Sequence, residues 1–365
     1  MGSSNREAGL QDLQPHSGSK RLLPLHAQSR WSGSALPLGI LMLILIALPF
    51  VHDSRSFLIL MTQIFVMAVF AMSYDILLGY TGIVSFGHCM FFGVGAYTTG
   101  VFMDMAGASM GMLVLSVVVG IVLAALLSYV VGMLSLRLKS HFYAMLTLAF
   151  SGLFLVLAEK WRTVTRGNDG FTFPIPAVLK DRAVLYFTAL AVMVLVYVLL
   201  RRFTKSPVGK VLQAIRENEQ RAESLGYEIV HYKVIASIVA GAAASISGSL
   251  YVVALRFVNT TVFSMDMTLN ALLMTIIGGV GTLFGAILGA SFIQWAHFGL
   301  TELAKFHPIF ERWIIFFGLL YIVVVLVFPA GIVGTLRNWW NLRRAKKQQG
   351  MLLDTSTKEA TRGDG

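Results

Sequence analysis

Two ionisable side chains stand in strongly apolar surroundings. They are Asp75, at the end of the run Phe57–Leu78, and His88, inside the run Gly79–Tyr97. A charge at membrane depth is costly and usually faces a cavity or a partner. With Tyr80 and Ser85, these residues are candidates to line a path for a polar solute. The competing reading of His88 is a hydrogen-bonded packing residue, and Asp75 could equally sit near an interface. Catalytic patterns are absent. There is no HExxH and no GxSxG, and Ser245-Ile246-Ser247-Gly248 lacks the leading glycine. No GxxxxGK[ST] loop offers backbone amides to a nucleotide's phosphates. The one cysteine, Cys89, excludes intramolecular disulfides and CxxC-type metal or redox sites. The sequence therefore implies no catalytic residue, no metal and no cofactor bound by this chain.

Glycines mark the other unusual sites. Gly79, Gly82 and Gly87 punctuate the segment before and around His88. Gly278, Gly279 and Gly281 interrupt the apolar stretch Thr268–Leu300. In membrane helices small residues permit close backbone approach, so the plain reading of most of them is packing. Gly167-Asn168-Asp169-Gly170, ahead of Pro174 and Pro176, is turn chemistry that folds a loop back. Asn168, Asp169 and Gly170 are its central residues.

These residues must be held by membrane-spanning elements. The 365 residues are 56% hydrophobic and 13% charged, with a mean hydropathy of +0.73. A soluble fold cannot hide that much apolar surface, and the expected class is an all-α integral membrane protein. The net charge of +11 would suggest nucleic acid in a soluble chain. Here the basic residues flank apolar runs and set topology instead, so nucleic acid is not an expected partner. A span needs about 20 apolar residues. Candidates are Pro37–Val51, Phe57–Leu78, Ser85–Met103, Met112–Leu136, Phe142–Ala158, Ala183–Leu200, Val234–Leu255 and Ile314–Phe328. Thr268–Leu300 would be about 50 Å as one helix, long for one span and short for two. Its glycines predict a re-entrant pair of half-helices. The total is eight to ten crossings with Gly-interrupted or re-entrant segments.

Charge orients this arrangement. Residues 1–35 form a polar N-terminal tail, 36–336 the membrane domain, and 337–365 a basic C-terminal tail. With both tails, the Arg137–His141 turn and the Arg201–Lys233 loop on the cytoplasmic side, that side holds 20 of the 29 Lys and Arg residues. This satisfies the positive-inside rule and requires an even number of crossings.

Residues 201–233 form the longest polar stretch between spans. Ser206-Pro207 is an N-cap with proline at the first helical position. Leu212, Ile215, Ala222 and Leu225 recur at helical spacing, and Gly226 is placed to stop the helix. The expectation is one amphipathic helix, Pro207–Leu225. It rests either on lipid or in a groove of a partner protein, with Ile215 and Ala222 as apolar anchors and Arg216 and Glu219 at the rim. Its mixed charge favours protein over anionic lipid.

These pieces together resemble the LivM-type permeases of branched-chain amino acid importers, a family that includes urea and amide permeases. The resemblance runs over Phe57–Pro329. It rests on Leu78-Gly79-Tyr80-Thr81-Gly82, Ser85-Phe86-Gly87-His88, Phe91-Phe92-Gly93-Val94-Gly95-Ala96-Tyr97, Gly167–Gly170, Ala214–Glu219 with Ala222 and Gly226, and Ile277–Thr282. Asp75 departs from the neutral amide expected there, and Arg221-Ala222-Glu223 is a reduced form of a Glu-Ala-Ala docking core. The resemblance implies an ABC importer subunit in a bacterial inner membrane. Its implied partners are ABC ATPase subunits that bind the ATP, a second permease subunit and a periplasmic solute-binding protein. A secondary transporter is the alternative, but it would usually carry several intramembrane acids. An intramembrane enzyme is a further alternative that lacks its motifs.

Overall fold

The computed structural model describes residues 45–49, 54–135 and 140–304, and beyond them 318–319, 322, 326, 331–335 and 339. Residues 45–49 are helical and belong to a separate unit, Met1–Val51. All other elements lie in the second unit, His52–Gly365. The N-terminal tail, all of the C-terminal tail but residue 339, residues 137–139 of the expected turn and most of the expected spans Pro37–Val51 and Ile314–Phe328 lie outside the described residues.

The described architecture is all-α apart from one short ladder. In order, α1 is Arg55–Asp75, prolonged by a π-helical turn, Ile76–Thr81. Then come α2 (Cys89–Ala106), α3 (Met110–Ser135), α4 (Ser140–Lys160), α5 (Arg162–Thr165), α6 (Arg182–Lys205), α7 (Pro207–Glu217), α8 (Glu219–Ser224), α9 (Ile229–Leu255), α10 (Met265–Gly278) and α11 (Leu283–Ala304). Strands β1 (Phe171–Thr172) and β2 (Phe257–Val258) pair antiparallel. Among the described residues, six helices are long and apolar enough to cross a membrane: α1 with its π turn, α3, α4, α6, α9 and α11. This is a multi-pass membrane protein.

The bundle has two ends. One carries α7 and α8; the other carries β1 and β2. Helix α1 is the central post, with 78% of its most apolar window buried, whereas α3 has only 17% of its window buried. The buried residues of α3 are mostly small, among them Ser116, Gly120, Ala124, Ser128 and Gly132. Spaced four apart, they form one stripe along the helix. That stripe lies against α2 and α9. Ser128 and Ser237 share a 2.8 Å hydrogen bond across it, and a Cβ on Gly95 would strike the Ser245 backbone. Small residues let these backbones approach, while the large side chains of α3 point outward, Leu126 and Leu134 each 57% exposed.

The break in Thr268–Leu300 falls at the glycines: α10 stops at Gly278 and α11 starts at Leu283. The pair is not two half-helices, however. Helix α11 has 22 residues, about 33 Å, enough for a full span. It turns back antiparallel on α10. A side chain on Gly278 would meet the Gly285 carbonyl, and one on Gly289 the Met274 carbonyl.

Helix α10, with 14 residues, is the short member of that pair, and another break falls among the glycines Gly82 and Gly87. The expected span from Ser85 is helical only from Cys89, and Ile83–Ser85 are neither helix nor strand. Residues 256–264 are likewise irregular before α10 begins. Each irregular stretch completes a crossing with the helix after it. One enters from the α7 end and the other from the β end, so the starts of α2 and α10 meet inside the bundle. There the Cys89 amide donates to Thr268 Oγ1 at 2.9 Å.

Candidate functional site

Helix α1 delivers Asp75 to the α7 end of the bundle, fully buried. The widened turn after it leaves room for the carboxylate to fold over Gly79, whose missing side chain would overlap Asp75 Oδ1. Oδ1 accepts the Gly281 amide at 2.7 Å. Gly281 has φ +82°, a left-handed conformation that favours glycine, and so turns its N–H toward α1. The other oxygen, Oδ2, is buried with no hydrogen-bond partner among the described residues. A group in that state costs free energy unless something satisfies it. Thus a residue at the end of α1 caps the bend between α10 and α11.

Helix α7 completes the cluster. Ser206 Oγ accepts the Gly209 amide, capping α7 as expected from Ser206-Pro207. Leu212 and Ile215 are buried against the bundle. That register leaves Arg216 exposed beside the α1 bend, where Nη1 donates to the Gly79 carbonyl. The same guanidinium lies beside Gly281: a Cβ there would be 3.0 Å from Arg216 Nη1, and one on Gly82 would be 3.3 Å from Arg216 Cγ. Gly79, Tyr80, Gln213, Arg216, Glu217 and Gly281 line an open cleft of about 470 Å³. Gly331, at φ +71°, packs its backbone against Gly279 beside this bend.

The expected single helix Pro207–Leu225 is two. Asn218 leaves the helical region at φ −158°, and its side chain accepts the Arg221 amide at 2.9 Å. It ends α7 and caps α8. The placement of the anchors also differs from expectation. Ile215 and Ala222 are 2% and 3% exposed, packed within this chain rather than offered to another. Glu219 pairs with Lys233 of α9 at 2.9 Å, and Arg216 binds the α1 bend, so neither is a free rim charge. Gly226, at φ +87°, follows α8 as a left-handed stop. The outward apolar residues here are Leu225, 72% exposed, and Tyr227, 39% exposed.

The other path candidates lie deeper. His88 and Ser85 are buried. The Ser73 hydroxyl donates to the Phe70 carbonyl at 2.7 Å, so His88 Nε2–H donates to Ser73 Oγ at 2.9 Å. His88 Nδ1, Ser85 Oγ and Tyr74 Oη are buried without partners among the described residues. Phe70 stacks on the imidazole at 5.5 Å, with Tyr74 and Phe91 edge-on. Asp75 and Tyr80 therefore belong with the cleft, while Ser85 and His88 form a separate closed cluster nearer the bundle centre. Gly87 lets this segment lie against the Thr147 carbonyl. Sequence reasoning passed over Thr147, Ser151, Phe263 and Thr268. The Phe86 amide donates to Thr147 Oγ1 at 3.2 Å. The Cys89 thiol and the Ser151 hydroxyl lie 3.0 Å apart, and each reaches the Phe263 carbonyl at 3.2 Å.

At the β end, Gly167–Asp169 makes a 3₁₀ turn. Asn168 Oδ1 accepts from Thr260 Oγ1 at 2.6 Å, and Phe171 pairs with Val258. Gly170 fits under the Val258 carbonyl, and Asp169 is exposed. Arg166 is salt-bridged to Asp104 at 2.6 Å and lies over the Phe171 ring at 5.0 Å. The loop therefore clasps the irregular stretch 256–264.

Known proteins share this sequence pattern. The chain is 32% identical over 111 residues to the high-affinity branched-chain amino acid transport system permease protein LivM of Salmonella typhimurium, covering 30% of this chain and 26% of that one. It is 26% identical over 149 residues to the probable branched-chain amino acid transport permease protein LivM of Methanocaldococcus jannaschii, covering 38% and 43%. An autoinducer 2 import system permease protein, LsrC of Photorhabdus laumondii, is 31% identical over 116 residues, covering 30% and 35%. The aligned part thus spans between a quarter and under a half of each relative. No solved structure matches the chain. The family described as branched-chain amino acid transport system / permease component matches residues 56–326, from the first turn of α1 to beyond α11. That match takes in the bends, the clasp and the α7–α8 unit together, and by it the chain belongs to the permease components of branched-chain amino acid transport systems.

Proposed function

We propose that this chain is the membrane-spanning subunit of an ATP-driven importer in a bacterial inner membrane. The α7–α8 end faces the cytoplasm, and both termini lie on that side. The cargo is a branched-chain amino acid or a related small polar solute. ATP is bound by partner ATPase subunits. A second permease subunit and a periplasmic solute-binding protein complete the assembly. The exposed apolar flanks of α3 and α4 meet lipid or that second subunit, and the clasped loop at the β end faces the binding protein.

The observation that carries this reading is the α7–α8 unit. It is a polar-surfaced helical pair fixed to the bundle by its own apolar face and by Arg216. Such a unit has its outer side free for a second protein. Its charge is mixed, and Leu225 and Tyr227 stand out from it. Apolar anchors of this kind carry most of the affinity in protein interfaces. The ATPase is therefore held by Leu225 and Tyr227, with Ile215 and Ala222 as internal supports. Affinity purification of the tagged chain from its host should bring down ATPase subunits. Leu225→Asp should cut their recovery about tenfold, equivalent to roughly 1.4 kcal/mol, while the chain still inserts. Undiminished recovery with Leu225→Asp and Tyr227→Asp combined would reject this docking face.

A further inference from the structure

We propose that Arg216 and Asp75 are positioning residues that yoke two backbone bends to the cytoplasmic helix, so that displacing α7 moves both bends as one body. This rests on the importer reading above and adds the route by which motion enters the membrane.

Three elements far apart in sequence meet at one point: the π-helical end of α1, the Gly279–Thr282 bend between α10 and α11, and α7. Their junction uses backbone groups. Arg216 Nη1 donates to the Gly79 carbonyl, and the Gly281 amide donates to Asp75 Oδ1. The elements close a triangle, because the Arg216 guanidinium also lies beside Gly281. Arg216 ties α7 to the first bend, and Asp75, on the helix bearing the first bend, ties it to the second.

The glycines remove any cushion between these parts. A side chain on Gly79 would overlap the Asp75 carboxylate and the Gly281 backbone. Backbone in direct contact transmits a displacement that flexible side chains would absorb. The first bend leads through Gly82–His88 into α2. The second joins α10, which starts beside Cys89, to α11. Both discontinuous crossings therefore end at this junction, and a pull on α7 reaches the two stretches whose starts meet inside the bundle. The cleft beside Arg216 leaves room for the guanidinium to shift.

The test uses the intact complex with its ATPase subunits in lipid nanodiscs, compared without nucleotide and with ATP plus vanadate. Amide exchange is followed by mass spectrometry in residues 76–82, 207–217 and 278–286. All three segments should respond in the wild type. In Arg216→Ala, residues 207–217 should still respond, while the response of both bends falls by at least about threefold. Arg216→Lys, which keeps a cationic donor, should restore part of it. In Asp75→Ala, residues 76–82 should follow α7 while the response of 278–286 weakens, the contacts of Gly281 with Gly79 and Arg216 carrying the remainder. Asp75→Asn keeps an acceptor oxygen and should behave as wild type. A variant that merely loosens the fold would raise exchange in both nucleotide states and leave the difference between them intact. Bends that respond fully in Arg216→Ala and Asp75→Ala overturn the yoke. Failure of any ATPase to co-purify with the wild-type chain overturns the importer reading, and the yoke with it.

Discussion

Gly79 has a carboxylate where its side chain would be. Its replacement is therefore a sharp test of the junction at the end of α1. In Gly79→Ala the new methyl must displace Asp75 Oδ1 or the Gly281 backbone. Overpacking of this kind costs about 1–3 kcal/mol. The thermal unfolding midpoint of the purified chain should fall by several degrees. Gly152→Ala, a helical position with nothing within 4 Å, should leave the midpoint unchanged or raise it slightly, because alanine is the better helix former. Equal losses in both variants would mean that the close approach at Gly79 is not tight. Asp75, Gly79, Gly281 and Arg216 all stood out in the sequence, each for its own reason. That they touch did not, since 206 residues separate Asp75 from its donor, the Gly281 amide, and 137 separate Arg216 from Gly79. The hydroxyls of Thr147 and Thr268 left no trace at all. In a helix such a side chain can satisfy itself on the preceding turn, and nothing in one sequence distinguishes that from a bond across the bundle.

Elements were legible where one physical signal dominated. Apolar length gave α1, α3, α4, α6 and α9 to within about five residues, the usual uncertainty of helix ends being somewhat smaller. Ser206-Pro207 gave the start of α7. The split at Asn218 was hidden because the buried stripe Leu212, Ile215, Ala222 continues through it at helical spacing, and an apolar stripe reports a face, not continuity. Asn218→Ala removes the cap on α8 and should weaken that helix by about 1 kcal/mol. Amide exchange in 219–224 should then quicken roughly fivefold in the isolated chain, with α7 unaffected. If both helices loosen together, they form one cooperative unit and the break is nominal. The half-spans at Gly82–His88 and Arg256–Ser264 escaped for other reasons. Ile83–Phe86 is apolar enough to pass as membrane helix and Arg256–Ser264 polar enough to pass as a loop, and backbone outside a helix is tolerated at membrane depth only because protein surrounds it. That shelter is a property of the folded bundle.

At the scale of the whole molecule, α6, the long apolar helix between them, places Gly170 and Leu225 at opposite ends. A small accessible tag inserted after Asp169 should be reached only from outside the cell, and one inserted after Glu223 only after permeabilisation. Both tags on one side would remove a crossing and dissolve the half-span pairing. The orientation agrees with charge, since the Arg201–Lys233 loop carries seven Lys and Arg residues and basic segments stay in the cytoplasm. Composition alone shows that this is a membrane protein. It does not show which faces of α3 and α4 are bare, because lipid and a partner subunit accept the same side chains.

The two-residue ladder between β1 and β2 has a consequence for synthesis. Phe171 and Val258 are about ninety residues apart, so the first strand emerges on its side of the membrane long before the second is made. Until α9 has crossed, the loop bearing Asn168 has nothing to grip. Once it has, Asn168 can accept from Thr260 and hold residues 256–264 where the amide of Cys89 meets Thr268. Completion of the fold is an event that follows chain elongation, gated by one turn of polypeptide on the far side of the membrane.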